Sequence, residues 1–212
     1  MFSDSDLFPS CAEPFAHTEP LRLLNPAIAA SEPDAIGGEP CSPESLHFLE
    51  AWHHWRGDRL VPLRRDVELL SICKLMPQFM VLEVNGPDRA TIRLAGTEVE
   101  RQFGSTLTKR NLIALTDRPY QPQRGQRLWQ MVNQPCAALL HLAIDRQSGQ
   151  RNEVELAIAP VLPDDHRAAC QLFIAVSRLP HWQWGSAADP VAHSLGRNLR
   201  FLDIGGGIPT LG

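Results

Sequence analysis

Three stretches in the second half of the chain alternate with a period of two, and the segments between them are too short for crossover connections. Leu140, Leu142 and Ile144 alternate with His141 and Ala143. Val154, Leu156 and Ile158 alternate with Glu153, Glu155 and Ala157. Cys170, Leu172, Ile174 and Val176 alternate with Gln171, Phe173 and Ala175. Successive side chains of a strand point to opposite faces, so each stretch reads as a strand with one apolar face. Connectors at 146–151 and 163–167 suit hairpins, which makes the three strands an antiparallel meander. The apolar face is expected to lie under helices. Glu153, Glu155 and His141 are expected on the opposite, wetter face.

The first half begins with helix chemistry. Ser42, Pro43 and Glu44 supply a hydroxyl cap, a proline at the first helical position and an acid near the positive end of the helix dipole. The helix they open carries Phe48, Leu49, Trp52 and Trp55 as a broad apolar stripe and stops at Gly57. A second helix is predicted over Asp66 to Met76, with Leu69, Cys73 and Met76 on one face and Pro77 ending it. The period then changes. Phe79 to Val84 is a nearly continuous apolar run, Asn85-Gly86-Pro87-Asp88 is a turn, and Ala90, Ile92 and Leu94 alternate with polar residues, which predicts a β-hairpin. Between the hairpin and the meander, short helical pieces are predicted at Thr97 to Phe103 and near Asn111 to Leu115. A longer helix follows over roughly Gln123 to Asn133, with Leu128, Trp129 and Val132 sharing a face; Gly125 weakens its start.

The ends differ from this middle. Residues 1–41 contain Pro9, Pro14, Pro20, Pro26, Pro33 and Pro40, which interrupt both helix and strand, so this zone reads as a mostly disordered extension with one short apolar piece, Leu21 to Ile28. Residues 42–182 form the predicted domain. Residues 183–212 read as a tail with one apolar docking segment, Leu199 to Ile204. A net charge of −4 argues against a nucleic-acid or anionic-membrane partner. The acidic N-terminus lacks the form of a signal peptide, and no apolar run reaches the roughly 20 residues of a membrane helix, so a cytoplasmic location is expected. Five cysteines without CxxC spacing read as reduced, mostly buried thiols, which suits that compartment.

The order is helix, helix, two strands, short helices, three strands. Within it, Arg89 to Leu115 (RATIRLAGTEVERQFGSTLTKRNLIAL) resembles the core motif of a PAS-like family of short bacterial proteins. The matching elements are Gly96-Thr97 at a strand end, Phe103-Gly104 at a helix end, and Leu107-Thr108. An aromatic helix, an Arg-x-x-Pro loop at Arg59 to Pro62, and a helix ending in proline match the family's entry; the resemblance covers about residues 44–180. Lys109 stands where the family usually has glycine, which implies a different local turn or a left-handed lysine. The resemblance implies an α+β fold, a five-stranded antiparallel sheet with helices on one face plus the N-terminal amphipathic helix. It further implies a small cavity between sheet and helices, here assigned to Phe103, Leu112, Trp129, Leu142, Leu156 and Ile174, and a sensory role. Such domains often dimerise through an N-terminal helix, which assigns Phe48, Leu49, Trp52 and Trp55 to an interface.

Catalytic and cofactor chemistry finds no support in the residues. His47, His53 and His54 lack the i, i+4 spacing and third ligand of a metal site, since Ala51 follows His47 by four. The long helix has no histidine for haem, and His141 falls on the wetter face. No Asn-Cys-Arg-Phe-Leu-Gln-like helix is present for a photoactive flavin, so haem and flavin are both disfavoured and the cofactor stays unassigned. Gly205-Gly206-Gly207 lacks the Lys-Ser/Thr of a phosphate loop, and neither GxSxG nor HExxH occurs. The expectation is a non-enzymatic stand-alone domain in bacterial signalling. It would bind a small apolar or amphipathic ligand, a signalling protein partner, or both, with a homodimer as one outcome. The alternative is a ligandless adaptor that docks through its first helix and tails, with Trp182 and Trp184 as further interface candidates.

Overall fold

The computed structural model describes residues 41–146, 149, 151–165, 167–179, 191–192 and 196–210. The extension at 1–40, with Leu21 to Ile28 and Cys11, lies outside the described residues, as do Trp182 and Trp184. Seven strands make one sheet: β1 (Phe79–Gly86), β2 (Arg89–Ala95), β3 (Ala137–Arg146), β4 (Arg151–Val161), β5 (Gln171–Arg178), β6 (Val191–Ala192) and β7 (Arg197–Leu202). Their spatial order is β2-β1-β5-β4-β3, and β6 and β7 both add to β3. The hairpin and the meander therefore meet through β1 and β5, which pair antiparallel from Phe79↔Ala175 to Glu83↔Gln171. This is the α+β arrangement expected from the sequence, with two more strands than the five foreseen. The extra pair comes from the stretch read as a tail. Leu202 and Ile204 are buried there, so the segment is held as a strand of the chain's own sheet.

Helices cover both faces of the sheet, not one. Helix α1 (Pro43–Arg56) is capped by Ser42, whose side chain accepts from the Ser45 backbone N–H. It packs on the face that carries Phe79, Val81, Phe173 and Ala175. Phe48, Trp52 and Trp55 are almost fully enclosed, and Trp52 Nε1 donates to the Pro160 carbonyl at 2.8 Å. This corrects the expectation of an exposed stripe for dimerisation: Phe48, Leu49, Trp52 and Trp55 are buried within the chain itself. The near-continuous apolar runs in β1 and β5 carry the physical reason. A strand apolar on both faces needs a layer on each.

The segment after α1 is not the predicted α-helix. It is a 3₁₀ run over Leu69–Gln78, kinked at Ile72. Ile72 and Leu75, three apart, turn inward, while Leu69 and Leu70, before the kink at Ile72, are exposed, so the inward face differs from the Leu69/Cys73/Met76 set that an α-period predicts.

The other face receives α2 (Thr97–Phe103), α3 (Leu112–Leu115) and α4 (Gln121–Asn133) against Met80, Leu82, Leu172 and Ile174. Gly96 sets the start of α2. A Cβ there would lie 2.3 Å from the Met76 carbonyl oxygen, and its N–H donates to Phe79 O at 2.8 Å. Asn111 caps α3: its Oδ1 accepts from Ile113 N and Ala90 N, both at 3.1 Å, and its Nδ2 donates to Asp88 O. The buried face of α4 is Gly125, Leu128 and Met131, with Trp129 and Val132 only partly covered.

Lys109 has φ 70°, in the left-handed region. Its N–H donates to Ile92 O at 2.7 Å, and Ile92 N–H donates to Arg110 O, which fixes the loop against β2. A left-handed non-glycine residue costs about 1–2 kcal/mol, against which glycine loses more chain entropy on folding. Lys109→Gly is therefore expected to stabilise the protein by roughly 0.5–1 kcal/mol, raising Tm by about 2 °C in thermal unfolding. A lowered Tm would mean that the lysine side chain outweighs the backbone strain.

Candidate functional site

A cavity of ≈ 90 Å³ lies between the sheet and helices α2 and α4. The alternation of the strands builds its floor: Met80 and Leu82 of β1, Leu140, Leu142 and Ile144 of β3, Leu156 and Ile158 of β4, and Ile174 and Val176 of β5. Val99, Gln102 and Phe103 of α2 and Leu112 of α3 close one side. Arg124, Arg127, Leu128 and Met131 of α4 close another, and Leu199 of β7 with Gly196 completes the wall. Phe103, Leu112, Leu142, Leu156 and Ile174 thus come together around one cavity. Trp129 does not; it lies on the outer side of α4 with Gln126, Gln130 and Pro209. The hundred-degree step of the helix explains this, because Arg124, Arg127, Leu128 and Met131 share the face turned to the sheet.

Sequence reasoning missed Gln102, Arg124, Arg127 and Leu199. The two arginines sit three apart on α4, a spacing that shares a helix face. Periodicity that follows only apolar residues passes over them. Arg124 Nη1 donates to Thr116 Oγ1 at 2.7 Å, and that hydroxyl donates to Leu112 O at 2.9 Å. Gln121 Nε2 donates to Thr116 O at 2.8 Å, so the Thr116 corner holds the start of α4 in place. Burial presses the Arg124 guanidinium well below its ordinary basicity; Asp117 counters this and Arg127 adds to it. Burial also lowers Arg127, whose Nε is enclosed without a hydrogen-bond partner.

Among the described residues the cavity wall carries no histidine or cysteine, and so neither the imidazole nor the thiol on which a haem or flavin-adduct reading would depend. His141 is on the opposite face, paired with Glu155 through Nε2···Oε2 at 3.3 Å. That face is not wet: the Glu155 side chain is fully buried under the N-terminus of α1. Glu155 Oε1 accepts from Ser42 N at 2.8 Å and from Ser42 Oγ at 2.7 Å. Burial alone would raise the carboxyl, but hydrogen bonds from Ser45, Ser42 and His141 outweigh it and hold Glu155 below the ordinary glutamate range. The thiols lie the other way. Burial pushes Cys41 and Cys136 up to about 12 and Cys170 to about 11, where the nucleophilic thiolate is scarce at neutral pH. Among the described residues no group of three or more His, Cys, Asp or Glu is placed to hold a metal, and no helix is long and apolar enough to cross a membrane.

The sheet of order β2-β1-β5-β4-β3, with helices enclosing a cavity on one face, defines an α+β architecture of one antiparallel sheet between helical layers. The family model of the PAS domain matches residues 41–174, and the chain belongs to that family. Among solved structures, a Rhodobacter sphaeroides LOV protein is similar at 15% identity and a TM-score of 0.37, covering 49% of this chain. The aligned part spans 59% of that neighbour's length. No curated protein matches the chain.

Proposed function

We propose that this PAS domain is a non-catalytic, cytoplasmic signalling module that binds a small molecule in the cavity between the sheet and α4 and passes its occupancy to a protein partner. The observation that carries this reading is the cavity itself, apolar on its sheet side and walled by residues of five strands and three helices. Close-packed interiors leave few voids larger than a water molecule, so a space of this size marks a place where packing is incomplete. The route outward follows from the strands. Leu172, Ile174 and Val176 of β5 belong to the cavity side, while Phe173 and Ala175 between them support α1. A ligand that shifts β5 therefore acts on both layers at once, and it shifts the equilibrium only by its difference in affinity for the two arrangements.

Leu156 lines the cavity and is only partly buried. Leu156→Trp is expected to fold, since the added volume enters existing space, and to lose ligand binding. The check is native mass spectrometry of the freshly purified protein together with thermal-shift screening of wild type and variant. A bound small-molecule mass, or a rise in Tm, seen in the wild type and absent from the variant supports the reading. A wild type that carries no ligand and responds to none across the screen sinks it.

A further inference from the structure

We propose that the cavity is built for a small amphipathic carboxylate, with its apolar body on the sheet and its charged end between Arg124 and Arg127; this rests on the ligand-binding reading above. Three observations converge. The cavity floor is aliphatic, so an apolar group is taken up without loss of hydrogen bonds. The polar lining is confined to the helices and consists of Gln102, Arg124 and Arg127; among the described residues no carboxylate lines the wall. Arg127 Nε is enclosed yet has no hydrogen-bond partner, and no described carboxylate forms an ion pair with Arg127. Two guanidiniums on one helix face repel each other and are both penalised by burial. An anion between them relieves the repulsion and offsets part of the burial cost, and a planar carboxylate matches the donor fork of arginine. Gln102, on α2 and almost fully buried, adds an amide that donates to a carboxylate or accepts from a protonated acid. The cavity volume of ≈ 90 Å³ favours ligands on the scale of an aryl acid or a short-chain fatty acid.

The test is isothermal titration calorimetry on the full chain with benzoate and with C4 to C8 straight-chain carboxylates, each set against its neutral alcohol or amide, and with inorganic phosphate. Wild type is expected to bind at least one carboxylate at least tenfold more tightly than its neutral counterpart. Arg127→Gln is expected to remove that preference and leave the neutral counterpart unchanged, while Arg127→Lys keeps part of it. Arg127 is only partly buried, so both variants are expected to fold, and circular dichroism checks this. Carboxylate affinity is expected to fall with added salt, as charge pairing requires. Neutral counterparts that bind as well as the acids, phosphate that binds as tightly as the best acid, or Arg127→Gln that keeps the preference would each overturn the carboxylate assignment and leave the cavity reading intact. A wild type that binds no member of the panel, acid or neutral, and retains no small molecule on purification would overturn both.

Discussion

Gly125→Ala is expected to destabilise the protein by about 3 kcal/mol, lowering Tm by roughly 10 °C, the larger end of what overpacking costs. The reason lies where α4 crosses the β1–β2 turn. A Cβ at position 125 would sit 1.7 Å from the Pro87 carbonyl oxygen and 2.8 Å from its carbon. Both are backbone atoms, so no rotamer change relieves the overlap. The helix must lift off the turn, against the ordinary gain of about 1 kcal/mol that alanine gives inside a helix. The same lift would draw Arg124, Arg127 and Leu128 away from the cavity. Chemical denaturation measures the first effect and ligand titration the second. A Gly125→Ala protein as stable as wild type would show that α4 and the turn are not in contact.

Glu155→Ala is expected to cost about 3 kcal/mol, because removing a buried acceptor leaves its former donors without partners. The donors are Ser42 N, Ser42 Oγ and His141 Nε2, all within 3.3 Å. Ser42 is also the cap of α1, so the variant loosens the helix and its hold on β4 together. Glu155→Gln, which keeps an acceptor oxygen, is expected to cost less. The pH dependence has a definite sign. The folded-state carboxyl is held below its ordinary value, so ionised Glu155 contributes fully above the unfolded-state value near about 4.3. That contribution is lost as pH falls through the lower folded-state value. The stability gap between wild type and Glu155→Gln is therefore expected to narrow as pH falls below about 4.3. A gap that widens as pH falls below about 4.3 would contradict the hydrogen-bonded carboxylate.

Glu155 also marks the limit of what periodicity can show. Alternation placed it correctly on the face opposite Leu156, and it placed His141 beside it; their register is His141↔Glu155. What alternation cannot show is whether that face meets water or a second helix layer. The answer depends on α1 returning over the sheet, a contact between residues more than a hundred positions apart in the chain. The β1–β2 turn, the α1 cap and the Gly104 stop of α2 were legible because they rest on local chemistry. The cavity was legible in its apolar part, where Phe103, Leu112, Leu142, Leu156 and Ile174 follow the apolar period. Its charged end was hidden, because an arginine on a helix normally belongs to the solvent side and only the packing of α4 turns Arg124 and Arg127 inward. Leu199 was hidden for another reason: a six-residue strand beside a glycine-rich end gives no sign of which partner it will join.

The loop held by the left-handed Lys109 has an effect on association as well as on stability. An outer strand normally offers a row of unsatisfied donors and acceptors on which another chain can crystallise. On β2, Ala90 N–H is taken by Asn111 Oδ1, Ile92 N–H by Arg110 O, and Ile92 O by Lys109 N–H. What remains beyond Ile92 is too short to template a strand. Edge-to-edge growth of copies into a filament needs two open, complementary borders, and one of them is closed here. Among the described strands any such pairing is confined to the β6–β7 side, and like meeting like across a two-fold axis ends at two molecules.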